Sequence, residues 1–258
     1  MLRGATLYSS WVKQGNSSNK LLSTIKISFF LLSSLSSCTT SDIQNYPHRM
    51  AEIFYTPQSY KPKSTPENWA FKGSISDDEI KLFRGVLGPT LHISSGSSPY
   101  IFGRKISERL LISPYLTWRW KLKAGEWINH PIKIFIGIDS GAINLSKRSS
   151  ILNFFANDTL PKYDRGIFIV WNKHHSKEGK LVHIGESEEE MKKVEYFIQR
   201  GKEDVGKWRT ETVDIAALYK RSWPKESDEG AKIVIIGIAS SASSTYSSGL
   251  IKSLALSH

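Results

Sequence analysis

Pro114-Tyr115-Leu116-Thr117-Trp118-Arg119-Trp120-Lys121-Leu122 decides the fold class of this 258-residue chain. Alternate side chains of a β-strand point to opposite faces of its sheet. One set here is Leu116, Trp118, Trp120 and Leu122; the other is Tyr115, Thr117, Arg119 and Lys121. The first set reads as core, and the second meets water or a ligand. The same period of two governs 132–139, where Ile132, Ile134, Ile136 and Ile138 form an inner set. Lys133, Phe135, Gly137 and Asp139 then point outward.

Outward from these two strands, the runs 79–86, 90–94, 167–171, 180–184, 194–200, 208–213, 232–240 and 248–256 are rich in β-branched and aromatic residues. Gly, Pro, Ser and charged turns separate most of them, the pattern of short strands. Residues 167–171 and 233–238 are apolar on both faces, as central strands covered on each side would be. Apolar residues at helical spacing are nearly absent; 187–196 is a candidate helix and 215–220 one turn. Many short strands without intervening helices predict a single antiparallel β-sandwich, all-β, and exclude a βαβ fold.

Two segments precede that domain. Lys20 and Lys26 lead into Ile27-Ser28-Phe29-Phe30-Leu31-Leu32, and small residues follow up to Cys38, the chain's one cysteine. A basic region, a short apolar stretch and small residues before a cut make an export signal, and the apolar stretch falls short of the roughly 18 residues of a membrane span. Leu35-Ser36-Ser37-Cys38 resembles the lipobox of bacterial lipoproteins. That resemblance implies cleavage after residue 37, a diacylglycerol thioether on Cys38 and an acyl chain on the new amine. It places the protein in the bacterial cell envelope, lipid-anchored on the periplasmic face of the outer membrane. A plain secreted protein and an uncleaved terminus are the alternatives, and the long polar stretch before Lys20 fits either a misplaced start codon or a longer basic region, since no Met lies between Met1 and the apolar stretch. Residues 38–66, punctuated by Pro47, Pro57, Pro62 and Pro66, read as a tether with a helical turn near 48–55. Residues 67–258 are the sandwich domain.

Charge narrows the partners. The whole chain carries 35 basic and 24 acidic residues, a formal +11. Removing Arg3, Lys13, Lys20 and Lys26 with the signal leaves a formal +7. No run of five or six like charges remains, so no nucleic-acid partner is expected. A mildly basic surface suits acidic glycans or anionic headgroups. With Cys38 acylated no disulfide can form, and packing alone must stabilise the domain.

The Trp-Arg-Trp-Lys block carries a second resemblance. Residues 114–122 resemble the signature P-x-L-x-W-R-W-K of the bacterial domain-of-unknown-function family 3047. In that family's order follow Leu91–Ser98, Gly166–Asn172 with its Val-Trp end, Gly206-Lys207-Trp208 leading to Val213-Asp214, and Lys232–Thr245. The match spans about 69–256. It implies an exported, β-rich single domain similar to galactose-binding-like jelly rolls, and implies no activity. The chain departs from the family pattern at Asn129-His130 followed by Lys133, in place of an acidic pair and Arg. It departs again at Ser241-Ala242-Ser243-Ser244-Thr245, in place of Asp-x-Asp-Asn-Thr. Acid–base chemistry or a hard cation needs those carboxylates.

Candidate chemistry is correspondingly thin. His174, His175 and His183 lie in a Lys-rich loop that reads as a solvated turn, so no metal is expected. Glu186, Glu188, Glu189 and Glu190 read as a solvated helix start and not as a glycosidase pair. No catalytic residue and no cofactor is assigned. The seven tryptophans after residue 38 read mostly as core. Trp127 and Trp223, in connections beside charged residues, could instead stack on a sugar ring. The leading expectation is a non-catalytic envelope lipoprotein that binds a glycan or another envelope component. Arg119, Lys121, Lys133 and Asp139 would form its polar face, with Asn129 and His130 at the rim. Arg119 could hold an anionic group bidentately, or merely pair with an acid across the sheet. The alternatives are an envelope hydrolase using Asp139 or Asp214, and a structural module that recognises an envelope protein.

Overall fold

A computed structural model describes residues 51–52, 68–76, 78–85, 88–141, 159–183 and 194–258. Within them the chain forms thirteen strands: β1 (Ala51–Glu52), β2 (Trp69–Gly73), β3 (Ile80–Gly85), β4 (Gly88–Ser94), β5 (Tyr100–Arg109), β6 (Tyr115–Leu122) and β7 (Ile132–Asp139), then β8 (Arg165–Trp171), β9 (Leu181–His183), β10 (Val194–Arg200), β11 (Arg209–Asp214), β12 (Lys232–Ser240) and β13 (Ser248–Ser257). One helix, α1 (Ile215–Ser222), follows β11. The expected turn at 215–220 is thus a full helix, capped by Asp214, which accepts the Ala217 N–H at 2.8 Å.

The strands form two sheets. A six-stranded sheet runs β11-β6-β13-β4-β3, with β1 paired to β13 beyond the end of β4. A seven-stranded sheet runs β2-β5-β12-β7-β8-β10-β9. The architecture is the expected all-β sandwich. One pairing departs from the antiparallel rule: β8 and β10 run parallel. Cys38, the segment 1–37 and most of the 38–66 segment lie outside the described residues. Of the latter, Ala51–Glu52 is strand and not helical turn. In the candidate helix at 187–196, Val194 and its followers belong to β10, and residues 184–193 lie outside the described residues.

The core lies between the sheets. Leu116, Trp118, Trp120 and Leu122 face Ile132, Ile134, Ile136 and Ile138, all fully buried. Trp120 joins the layers: its ring meets Trp118 at 5.4 Å and Trp171 at 5.4 Å, both edge-on. Such edge-to-face pairs add roughly 0.5–1.5 kcal/mol beyond the area they bury. Two bulges keep the apolar sets inward. In β12 the register shifts between Ile233 and Ile235, so Ile233, Ile236 and Ile238 join the central core while Ile235 turns to the opposite face. In β13 it shifts between Lys252 and Ala255 around Ser253, whose φ is +52°. That extra residue lets Ile251, Leu254 and Leu256 all point inward.

The outer set of β7 is not solvated, contrary to the alternation argument. Phe135 is fully buried by Tyr163 and Phe168, whose rings stand 5.4 and 4.9 Å away, and Gly137 also packs against Tyr163. A second apolar layer therefore covers part of the seven-stranded sheet's outer face.

Buried charge ties the two sheets at one edge. Glu211 of β11 is 2% exposed and accepts from Arg200 of β10 at 2.9 and 3.0 Å, Gln199 at 2.8 Å and the Trp120 indole at 3.4 Å. A carboxylate removed from water at this depth needs such a set of donors. At another point Arg165 of β8 grips Glu226, which also accepts from Tyr219 of α1 at 2.9 Å.

Candidate functional site

The outer face of the six-stranded sheet gathers cations that are scattered in sequence. Arg119 and Lys121 project from β6, Lys252 from β13, and Lys81 from β3. The register sets Lys252 beside Arg119, then Lys121, Leu250, His92 and Lys81 in one row across four strands. Lys123, just past β6, continues the line. The His92 imidazole is held below its ordinary pKa, first by partial burial and then by the charges of Lys81 and Lys123. Asp78 answers Lys81 at 2.8 Å through an exposed pair.

Aromatic rings lie among these charges. Trp208 precedes β11 and is half-buried; the Arg119 guanidinium stands 5.2 Å and the Lys252 ammonium 5.4 Å from its ring. Both cations leave the sheet on its outer side, so the indole lies across β6 along that face. Cations over an indole are attracted by its quadrupole by about 0.5–1 kcal/mol each at exposed sites. At the other end Tyr246, 62% exposed, carries Lys123 at 5.7 Å from its ring. Phe83, 52% exposed, meets His92 edge-on at 6.0 Å. Tyr246 also borders a groove of about 470 Å³ lined by Lys81, His92, Asp78, Glu79 and the serines Ser94, Ser95, Ser97 and Ser98. The face thus offers flat rings, fixed positive charge and hydroxyl donors together.

The six residues expected to share one site are divided. β6 and β7 belong to different sheets, and their apolar sets face each other, so their polar sets point in opposite directions. Arg119 and Lys121 stay on the six-stranded face, with Arg119 over an indole and, among the described residues, without an acidic partner. Lys133 is 7% exposed on the far side of the sandwich. Asp139 there accepts the Gly141 N–H at 3.0 Å. Asn129 accepts from Asn172 at 2.7 Å, joining two loops. His130 is not a rim ligand. It is fully buried: Nδ1 accepts the Ile132 N–H at 3.1 Å, and Nε2 lies 3.1 Å from both the Lys123 carbonyl and Ser247 Oγ. Burial, helped by the Lys133 charge, pushes its pKa down to about 4, so the ring is a neutral structural link.

Of the carboxylates named for the hydrolase alternative, Asp139 accepts the Gly141 N–H at 3.0 Å and Asp214 caps the N-terminus of α1 at 2.8 Å. Trp223 is buried against Tyr219 under Arg165, and Trp127 packs edge-on against His130 at 4.9 Å. The indole that lies on the outer face of the six-stranded sheet, half-buried, is that of Trp208. Its outward register with Thr210 and Thr212, opposite inward Glu211 and Val213, was the signal available in the sequence. His174 is exposed, while the side chains of His175 and His183 and the acidic run 186–190 lie outside the described residues. Among the described residues no three His, Cys, Asp or Glu converge as a metal site.

No protein-family model and no curated protein matches the chain. Solved structures similar to it are sugar-related in their descriptions. One is the family 11 carbohydrate-binding module of a cellulosomal cellulase from Clostridium thermocellum, with 9% identity over 81% of this chain and 93% of that one, TM-score 0.37. Another is the mannan-recognising module TmCBM27, with 14% identity over 81% of this chain and 97% of that one, TM-score 0.32. A third is an exo-β-agarase, with 12% identity over 79% of this chain, TM-score 0.32; the match spans only 24% of the agarase chain. At these scores the fold class rests on the two sheets themselves.

Proposed function

We propose that the protein is a non-catalytic module that binds an acidic glycan along the outer face of its six-stranded sheet. The observation that carries this reading is Trp208, half-buried, with Arg119 and Lys252 against its ring. A sugar ring offers an apolar face to the indole, while its carboxylate or sulfate meets the guanidinium, whose fork suits two oxygens. Lys121, Lys123 and Lys81 extend the charge, and Tyr246 beside the serine-lined groove supplies a second ring for the next sugars. The export pattern ending at Cys38 and the resemblance to domain family 3047 support an envelope setting, with the lipid anchor bringing the face close to envelope polymers.

The test is a glycan-array and envelope-polymer screen of residues 39–258, wild type against Arg119→Ala. Retention of uronate- or sulfate-bearing glycans that weakens in the variant is expected, with neutral glycans bound less well. Equal binding by both proteins, or equal retention of an oligonucleotide control, would remove the assignment. Separately, Cys38→Ala in the full chain should move the protein from the membrane to the soluble fraction. If it stays with the membrane, the anchor is elsewhere.

A further inference from the structure

The seven-stranded sheet carries a different feature on its own outer face. Lys72 of β2, Ile101 of β5, Ala239 of β12 and Lys133 of β7 form one row across four neighbouring strands. The row floors a pocket of about 340 Å³, walled by Pro99, Phe168, Tyr196 and Ser241. That volume lies in the range of small-molecule sites, roughly 300–1,000 Å³. Apolar surface dominates the lining, yet both ends of the floor are lysines, 1% and 7% exposed.

Lys133 is built into the pocket with care. Its Nζ donates to Ser241 Oγ and, at 3.4 Å, to the Tyr196 hydroxyl. It also stands 5.0 Å from the Tyr196 ring and 5.6 Å from the Phe168 ring. Its hydrogen-bond partners among the described residues are thus hydroxyls, with no carboxylate against it. A buried ammonium is costly unless an anion compensates it. Burial alone pulls its pKa down to about 8, the mark of a charge without a counter-ion. The flanking Ser241 and Tyr196 hydroxyls can turn their protons toward an incoming oxygen, so three donors converge.

We infer that this pocket binds a small amphipathic carboxylate, its two oxygens on Lys133, Ser241 and Tyr196 and its apolar body against Ile101, Ala239, Pro99 and Phe168. The apolar walls disfavour a strongly hydrated dianion, because its remaining oxygens would find no donors there. One negative charge with a hydrocarbon body matches both halves of the lining. The site lies on the opposite face from the proposed glycan surface, so the two readings stand or fall separately.

The experiment is calorimetric titration of the full chain at pH 7 with hexanoate, octanoate and benzoate, against 1-octanol and inorganic phosphate. Saturable 1:1 binding of at least one carboxylate is expected, with octanol and phosphate markedly weaker. Lys133→Met keeps the volume and removes the charge, and should weaken carboxylate binding about tenfold or more, the usual scale for a charge-assisted hydrogen bond. Tyr196→Phe, which keeps the ring and removes only the hydroxyl, should weaken it by a smaller factor. Glycan retention should be unchanged in both variants. The proposal is overturned if no carboxylate saturates, if octanol or phosphate binds as tightly, or if Lys133→Met binds like wild type.

Discussion

Mild acid should destabilise this fold chiefly through His130, with the half-buried His92 acting in the same direction. In the native state the ring is buried, Nδ1 accepts the Ile132 N–H, and protonating that nitrogen sets donor against donor. Its pKa falls from an ordinary 6.5 to about 4, with burial the larger cause and the Lys133 charge acting in the same direction. The unfolded chain therefore takes up a proton near pH 6.5 that the native state refuses until about pH 4. Stability is at its full value above pH 6.5 and is lost as the pH falls through that interval. At about 1.4 kcal/mol per pH unit the loss approaches roughly 3 kcal/mol. A domain whose total stability is typically about 5–15 kcal/mol would show it clearly. Urea unfolding followed by tryptophan fluorescence at pH 7, 6, 5 and 4.5 measures it, wild type against His130→Gln. Glutamine can keep an acceptor for Ile132 and a donor for Lys123 without titrating. The wild-type midpoint should fall steeply below pH 6.5 and the variant's much less. Parallel slopes for the two proteins would refute the assignment of His130 as the titrating group.

Three further outcomes follow from named features. Ser253→Gly relieves a non-glycine residue at φ +52° in the β13 bulge and should raise stability by about 0.5–1 kcal/mol in chemical denaturation. Glu211→Gln turns one buried acceptor into a donor facing Gln199 and Arg200, while Arg200, 29% exposed, keeps Asp204 and Glu178 at 3.4 and 3.6 Å; it should cost about 1–3 kcal/mol, read as a lowered unfolding midpoint. Lys133→Met should raise thermal stability at pH 7. The native amine titrates near 8 and the unfolded one near 10.5, so the wild type should gain stability between those values while the variant stays flat.

The parts of the fold that local pattern could supply are those of period two. β6, β7, β10 and β12 begin and end where their side chains alternate or stay apolar, because that periodicity is written within a few residues. β5 escaped that logic. Its Gly103 and the charges Arg104, Lys105, Glu108 and Arg109 look like a turn, yet Gly103 is required there. A Cβ at that position would come within 2.7 Å of the Ile236 carbonyl oxygen and 2.8 Å of Gly237 Cα. That contact is set by a strand more than a hundred residues away. The same distance in sequence explains the divided site. Alternation says which side of its own strand Arg119 or Lys133 takes, but not which sheet the strand joins. Phe135 was assigned to solvent for the same reason, since Tyr163 and Phe168 cover it from another part of the chain.

The place of the glycan is tested most directly by chemical-shift mapping. An acidic oligosaccharide selected by the array is titrated into isotopically labelled residues 39–258. The Trp208 indole N–H and the amides of Arg119, Lys121 and Lys252 should move together, with Tyr246 following as the chain lengthens. Shifts clustered instead around Phe168, Tyr196 and Lys133, with Trp208 unmoved, would contradict the account.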